Sequence, residues 1–522
     1  MNIPTLIAKG AKYYNDRTAV VFGEKRFTFK EVNERANRIA NGLLSLGVKK
    51  GDRIASLNRN CYQHIEIVFA RYKIGAVDVT LNPRLSPEEA AWQINDSRTS
   101  TIFVAADLLD KVRPVLTSCK GIKNIIALSG ASGKEIEYEE LVASGNSKEP
   151  PPIETALYDD DIGAIIYTAG TTGKPKGIAH PRRVAWTVVR NLLLDMIPDL
   201  SPEDVFLGLQ PLYHAVGWFI LCCWLRGTTH VIVPEFHAEI AFDTIEKEKV
   251  TVVKTVPTVL VRMLAHPDIR KRDLRSVRTI IYGASPMPIE PLRQAIQIFG
   301  PIFVQNYGQS EAPMTISLLR KEDHVIEGNI EKKARLTSAG RPYTLVEVRV
   351  VDENGRDTAV GETGEVIVRG DHVMKEYWQL PQETEETLKD GWLHTRDMAR
   401  VDRDGYIYLV DRKSEMIISG GLNIYPNEVE QVLYEHPAVL EAAVFGVPDK
   451  DWGEAVKAMV ALKPSMKATE QELIDFCKSR LTSYKKPKTI DFMTNLPKSP
   501  EGKVLRRTLR EPYWKGHDRR IN

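Results

Sequence analysis

Two hydrophobic periods alternate along this chain. Over residues 27–48 ("FTFKEVNERANRIANGLLSLGV") the apolar positions follow a helical repeat: Val32, Ala36, Ile39, Ala40, Leu43 and Leu44 share one face. Thr28 and Glu31 have capping-box spacing at its start, and Gly47 lies where such a helix should stop. Short apolar, β-rich runs then recur: "TIFVA" from Thr101, "NIIAL" from Asn124, "GAIIYT" from Gly163, "HVIVP" from His230, "VTVVKTV" from Val250 and "TIIYGA" from Thr279. Helix-like stretches, such as 256–264, separate several of them. Strands alternating with helices predict an α/β class with largely parallel sheets, whose ligands sit beyond the C-terminal ends of the strands.

The pattern changes near residue 340. "LVEVRVVDENGRDTAVGETGEVIVRG" alternates around Asn354-Gly355, and "DRDGYIYLVDR" carries Asp404-Gly405. Both read as hairpins, hence an antiparallel β subdomain over about 338–411. Mixed α/β patterning returns after residue 411. The expected organisation is a large N-terminal domain, 1–411, a hinge at about 411–415 and a small α+β C-terminal domain, 412–522.

Composition narrows the class. The 522 residues are 43% hydrophobic and 27% charged, with net charge +2, so a soluble multidomain protein is expected and nucleic acid is not. Five cysteines without a C-x-x-C pair fit a reduced, cytoplasmic setting. The longest apolar run, Trp218 to Leu225, is far short of the roughly 20 residues of a membrane span, which leaves peripheral association open. The N-terminus has no signal-peptide core. The oligomeric state stays open, a homodimer included.

The candidate chemistry starts at "YTAGTTGKPKG", residues 167–177. A P-loop needs G-x-x-x-x-G-K-[ST], but Thr168 stands at the first glycine position and Pro175 follows Lys174. Glycines still let consecutive N–H groups converge on an anion, and Lys176 adds charge. Alone, such a loop is more often a flexible surface turn. It is accompanied, however, by "PLYH" at Pro211, "YGAS" at Tyr282, "NYGQSE" at Asn306, "TRD" at Thr395, "DRKSEMIISGGLNIYPNEVE" at Asp411 and "EGK" at Glu501. In that order, these segments resemble the adenylate-forming superfamily of acyl-CoA synthetases, amino-acid adenylation domains and beetle luciferases, over about residues 20–510.

The resemblance implies a two-step reaction. A carboxylate attacks the α-phosphorus of ATP to give acyl-AMP and pyrophosphate; a thiol, commonly coenzyme A, then displaces AMP. By this likeness Thr168, Thr171, Thr172 and Lys176 would contact the β- and γ-phosphates, in a nucleotide-binding loop with Ala169, Gly170 and Gly173, where Ala169 stands in place of the usual serine. Glu311 would hold Mg²⁺, as a hard cation suits carboxylate and phosphate oxygens. Gly283, Ala284 and Tyr307 would surround adenine, and Ser285, Asn306, Gly308 and Ser310 would belong to the same nucleotide-binding set. Asp397 would accept from the ribose hydroxyls, and Arg412 would reach the ribose or phosphate. Arg396 stands where the family has glycine.

Lys503 would bridge carboxylate and α-phosphate during adenylation. It would leave when the C-terminal domain rotates about Lys413-Ser414 and brings Gly420 and Gly421 to the thiol path. Ser414 replaces the usual aspartate or lysine pivot. His214 stands where amino-acid adenylation domains have aspartate, which argues against an amino acid. With it, Tyr213, Val216, Gly217 and Tyr282 are the expected acyl pocket, and small Gly217 is read as leaving room for a chain or ring. The expectation is an ATP-dependent acyl-CoA synthetase for a hydrophobic acid, a medium- or long-chain fatty acid ahead of an aromatic one. Transfer to a carrier-protein phosphopantetheine is the alternative within the superfamily. A phosphoryl-transferring NTPase and a non-catalytic nucleotide-binding regulator are the rivals outside that chemistry.

Overall fold

The computed structural model describes all residues except 1, 154–155, 169–174, 329, 413–414, 499–503 and 516–522. Four sheets organise it. The first has nine strands in the order Arg341–Pro342, Ala312–Leu319, Phe303–Gln309, Thr279–Gly283, Val252–Lys254, Val205–Gly208, Thr229–Ile232, Thr18–Phe22 and Lys25–Thr28. Phe303–Gln309 through Thr18–Phe22 pair in parallel, and antiparallel strands close both edges. The second sheet has eight strands. Its parallel part, over residues 53–168, is bordered by Lys176–Pro181 and Glu376–Tyr377, both antiparallel.

The parallel strands are apolar on both faces because both faces are covered. Val252 and Ile281 point into a cluster shared with Ile178 of the second sheet, while their neighbours Val253 and Ile280 point into a separate cluster on the opposite face. The helix Phe29–Ser45 begins with the expected Thr28–Glu31 capping box and buries Val32, Ala36, Ile39, Ala40 and Leu43. Its Leu44 is only partly buried.

The third sheet, five antiparallel strands over residues 347–412, is the expected β region. Asp404-Gly405 makes the expected turn between Trp392–Val401 and Ile407–Arg412, with Gly405 at φ +81°. Asn354-Gly355 differs. Its turn closes only the single Val351–Asp357 bridge, and the true partner strand starts at Gly364. A fourth sheet of five strands is built wholly from residues 417–492.

Candidate active site

The site forms where strand ends of the first sheet face the second sheet. Gly283 ends Thr279–Gly283 opposite Asn306 of the adjacent strand. A Cβ at Gly283 would lie 2.4 Å from the Asn306 backbone oxygen, and one at Gly308 would lie 2.5 Å from the Met314 nitrogen. Both glycines are therefore required by close backbone approach. Ala284 follows with φ +73°, a left-handed conformation that turns the chain sharply beyond the sheet. Asn306 donates through Nδ2 to the Met314 carbonyl, 3.3 Å away. Its Oδ1 is buried and, among the described residues, accepts no hydrogen bond. An orphaned buried acceptor beside a glycine-lined strand end fits an amino-bearing base.

Tyr307 is held by its hydroxyl, which donates to Asp397 Oδ2 at 2.6 Å, and Arg412 Nε donates to Asp397 Oδ1 at 3.2 Å. The three motifs "NYG", "TRD" and "DRK" thus meet at one carboxylate. Burial and the neighbouring Asp397 push the Tyr307 phenol far above its ordinary pKa, so it stays a donor. Arg396, in the family's glycine position, adopts φ +59°, and its amide donates to Glu365 Oε1 at 2.9 Å.

Thr168 and Lys176 are directly paired across the antiparallel strands Ile162–Thr168 and Lys176–Pro181. The glycine-rich segment therefore lies between two antiparallel strands. Ala169, Gly170, Thr171, Thr172 and Gly173 lie outside the described residues. Lys176 Nζ stands 5.3 Å above the Tyr377 ring and 4.0 Å from Glu383. The Tyr377 hydroxyl donates to Glu311 Oε1 at 2.8 Å. Tyr377 was invisible to sequence reasoning because its strand, Glu376–Tyr377, is too short to carry a period. Among the described residues no three His, Cys, Asp or Glu side chains converge as a metal cage. A single carboxylate, Glu311, suits an ion held mostly by phosphates and water.

A cleft of about 190 Å³ runs beside these groups, lined by Tyr213, His214, Gly217, Trp218 and Ala284 among others. The Tyr213 hydroxyl donates to Asn82 Oδ1 at 3.3 Å. His180, absent from the expected set, also lines the cleft, and its Nε2 is 2.7 Å from the Ser310 carbonyl oxygen, fixing that backbone. Burial lowers the His180 pKa to about 4, so the ring is neutral and donates here.

Two expected pocket residues lie elsewhere. Tyr282 alternates away from the cleft into the opposite core cluster, where its hydroxyl sits 2.9 Å from His324 Nε2. Val216 is fully buried, packed over Gly208 and not in the cleft wall. Gly217 does line the cleft, but a Cβ there would lie 2.4 Å from the Leu212 carbonyl oxygen, so its smallness serves the backbone rather than the ligand.

Gly420 and Gly421 form the turn between Ile417–Ser419 and Leu422–Ile424, with φ +58° and +78°. The Gly420 amide donates to the Trp452 carbonyl at 2.8 Å. Lys413, Ser414 and Lys503 lie outside the described residues. Lys254, a lysine inside an apolar strand, lines the cleft too, and the interruption of "VTVVKTV" was its visible signal.

Known proteins place this arrangement. Residues 7–378 match the AMP-binding enzyme family, and residues 428–503 match the AMP-binding enzyme C-terminal domain. The chain is 34% identical to the medium/long-chain-fatty-acid–CoA ligase FadD8 of Mycobacterium tuberculosis, over 99% of this chain and 91% of that one. It is 37% identical to a feruloyl-CoA synthase of an Amycolatopsis species, over 95% and 96%. The crystal structure of the anthranilate CoA ligase AuaEII with anthranoyl-AMP superposes with a TM-score of 0.90 at 26% identity, covering 98% of this chain and 97% of that one. With matches spanning nearly its whole length, this chain belongs to the AMP-binding enzyme family, within the adenylate-forming superfamily.

Proposed function

We propose that the protein is an ATP-dependent acyl-CoA synthetase that converts a hydrophobic carboxylic acid to acyl-AMP and then to the acyl-CoA thioester. The observation that carries this reading is the meeting of Asn306, the Tyr307–Asp397–Arg412 chain and the Glu311–Tyr377 pair beside one cleft. Asn306 Oδ1 is the acceptor for the adenine amino group, between Gly283-Ala284-Ser285 and Gly308. Asp397, held by Tyr307 and Arg412, takes the ribose hydroxyls. Lys176, at the base of the 169–173 loop with Thr168, and Ser310 face the phosphates. Glu311 would hold Mg²⁺, whose charge when bound offsets that of the phosphates. Lys503 acts on the carboxylate and α-phosphate, where developing negative charge needs a fixed cation.

Tyr213 and His214 stand at the acyl cleft, through which the carboxylate approaches. The small C-terminal domain, from about 412, then turns about 413–414 to bring Gly420-Gly421 to the thiol. Five free cysteines support a cytoplasmic setting. No helix among the described residues is long and apolar enough to cross a membrane.

A medium- or long-chain fatty acid is the first reading of the acid, supported by the FadD8 likeness. An aromatic acid is the second, favoured by the feruloyl-CoA synthase likeness and by Trp218 in the cleft wall, its ring 6.1 Å from that of His180. The test is exchange of labelled pyrophosphate into ATP across a panel of acids, followed by thioester formation with coenzyme A. Acid-dependent exchange with AMP release is expected. ADP release without exchange would overturn the proposal.

A further inference from the structure

Lys254 ends the strand Val252–Lys254, between Gly208 and Ile281 of the adjacent strands. It is completely buried and forms part of the acyl cleft wall, with Leu212, Tyr213, His214 and Ala284. Among the described residues its ammonium makes one hydrogen bond, from Nζ to the Thr255 carbonyl at 3.0 Å, and no ion pair. The carboxylate in the same wall, Asp78, is already engaged by Arg71 and by the Thr80 hydroxyl, 3.0 Å away. Among the described residues Asp78 is the only carboxylate of the wall; besides Lys254, its other titratable groups are histidines, arginines and the tyrosines Tyr72 and Tyr213. Burial alone pushes the lysine down to about 7. A buried ammonium with donors to spare and no counter-charge is unfavourable unless something else completes it, and the cleft is where a ligand enters.

We propose that Lys254 is the specificity residue of the acyl cleft, and that the acid this enzyme activates carries a second oxygen acceptor, remote from the reacting carboxyl, that binds the Lys254 ammonium. The inference rests on the acyl-CoA synthetase reading and refines its substrate. An oxygen acceptor placed there gains a charge-assisted hydrogen bond to a buried side chain. A plain hydrocarbon tail leaves the ammonium unmet. A carboxylate, a phenolic oxygen or a carbonyl would each serve, the anion best.

The experiment compares matched acids: straight-chain monocarboxylic acids against ω-oxo and ω-carboxy acids of equal length, and cinnamic acid against its ring-hydroxylated forms. Acid-dependent pyrophosphate exchange gives kcat/KM, and the acid-induced shift in melting temperature reports binding without turnover. In the wild type, the best acceptor-bearing acid should exceed its plain partner by about 10- to 100-fold in kcat/KM, the range of a hydrogen bond to a charged group. Lys254→Met, similar in length and apolar, should bring that ratio towards one. Lys254→Gln, a neutral donor, should keep some preference for carbonyl acids and lose it for carboxylates.

A wild type that favours every plain acid, or a Lys254→Met variant that loses both members of a pair equally, overturns the inference. The second outcome would move the lysine to the reacting carboxyl or to folding. If no acid supports exchange, the synthetase reading falls. The melting shifts then decide separately, and equal or absent shifts for the two members of each pair overturn the role of Lys254.

Discussion

Arg396 is one of eight non-glycine residues, among those described, that hold a left-handed backbone. At φ +59° it occupies left-handed space in which its Cβ is crowded, while among the described residues its side chain has only a 3.9 Å approach to Glu386, both about half exposed or more. Such a surface contact contributes little. Arg396→Gly should therefore be neutral or stabilising by up to about 1 kcal/mol, where the same change at an ordinary strand position costs about 0.5–1 kcal/mol. Urea unfolding checks this, and a clear destabilisation would show that the guanidinium is needed. The KM for ATP should hold, because Asp397 is fixed by Tyr307 and Arg412 rather than by its neighbour's side chain. The sequence made residues 306, 307, 397 and 412 legible because each lies in a short motif with a chemical task. It hid Tyr377 and His180, since a lone tyrosine or histidine carries no signal until folding brings Glu311 or the Ser310 carbonyl to it.

Elements were legible in proportion to their length and burial. Strands such as Thr279–Gly283 are covered on both faces and read as continuous apolar runs. The edge strands Arg341–Pro342, Glu376–Tyr377 and Leu388–Lys389 have two residues each, too few for any periodicity. The turn from Leu212 to the helix Trp218–Arg226 shows how a glycine expected to leave room for a ligand is required by the backbone instead. Gly217 stands in the cleft wall, yet its missing Cβ makes way for the Leu212 carbonyl. That oxygen is backbone and cannot move without shifting Tyr213 and His214. Gly217→Ala should therefore cost roughly 1–3 kcal/mol, as overpacking does. It should also raise KM for long and short acids alike, measured by thermal melting and an acid-length series. A shift in length preference with unchanged stability would instead restore the glycine's role as space for the ligand.

At the scale of the whole molecule, the role proposed for one lysine near the C-terminus, in one half-reaction and not the other, requires a domain that can move. The apolar clusters of the described residues answer to position in the chain. Four draw only on residues up to 409, and two only on residues from 417 onward. What joins the two groups is polar. Asp411 accepts from the Asn427 amide at 3.0 Å and lies 3.7 Å from Arg506, while the Ile289 amide donates to Gln431 at 3.4 Å. A junction with no apolar cluster across it can be remade without exposing a core, which is the property that a rotating domain needs. The motif "EGK" suggests a task for Lys503 but not a position, because a motif names a task and not the orientation in which it is performed. If the proposed rotation operates, Lys503→Ala should lose acyl-AMP formation on the order of 10²–10³-fold, the scale of one lost transition-state cation or donor. It should still convert supplied acyl-AMP and coenzyme A to thioester near the wild-type rate, since the orientation that admits the thiol has withdrawn this lysine. Single-turnover assays of each half-reaction separate the two. Equal loss in both would mean that Lys503 stays at the reaction centre throughout, and the polar junction at Asp411 would then be a fixed support rather than a pivot.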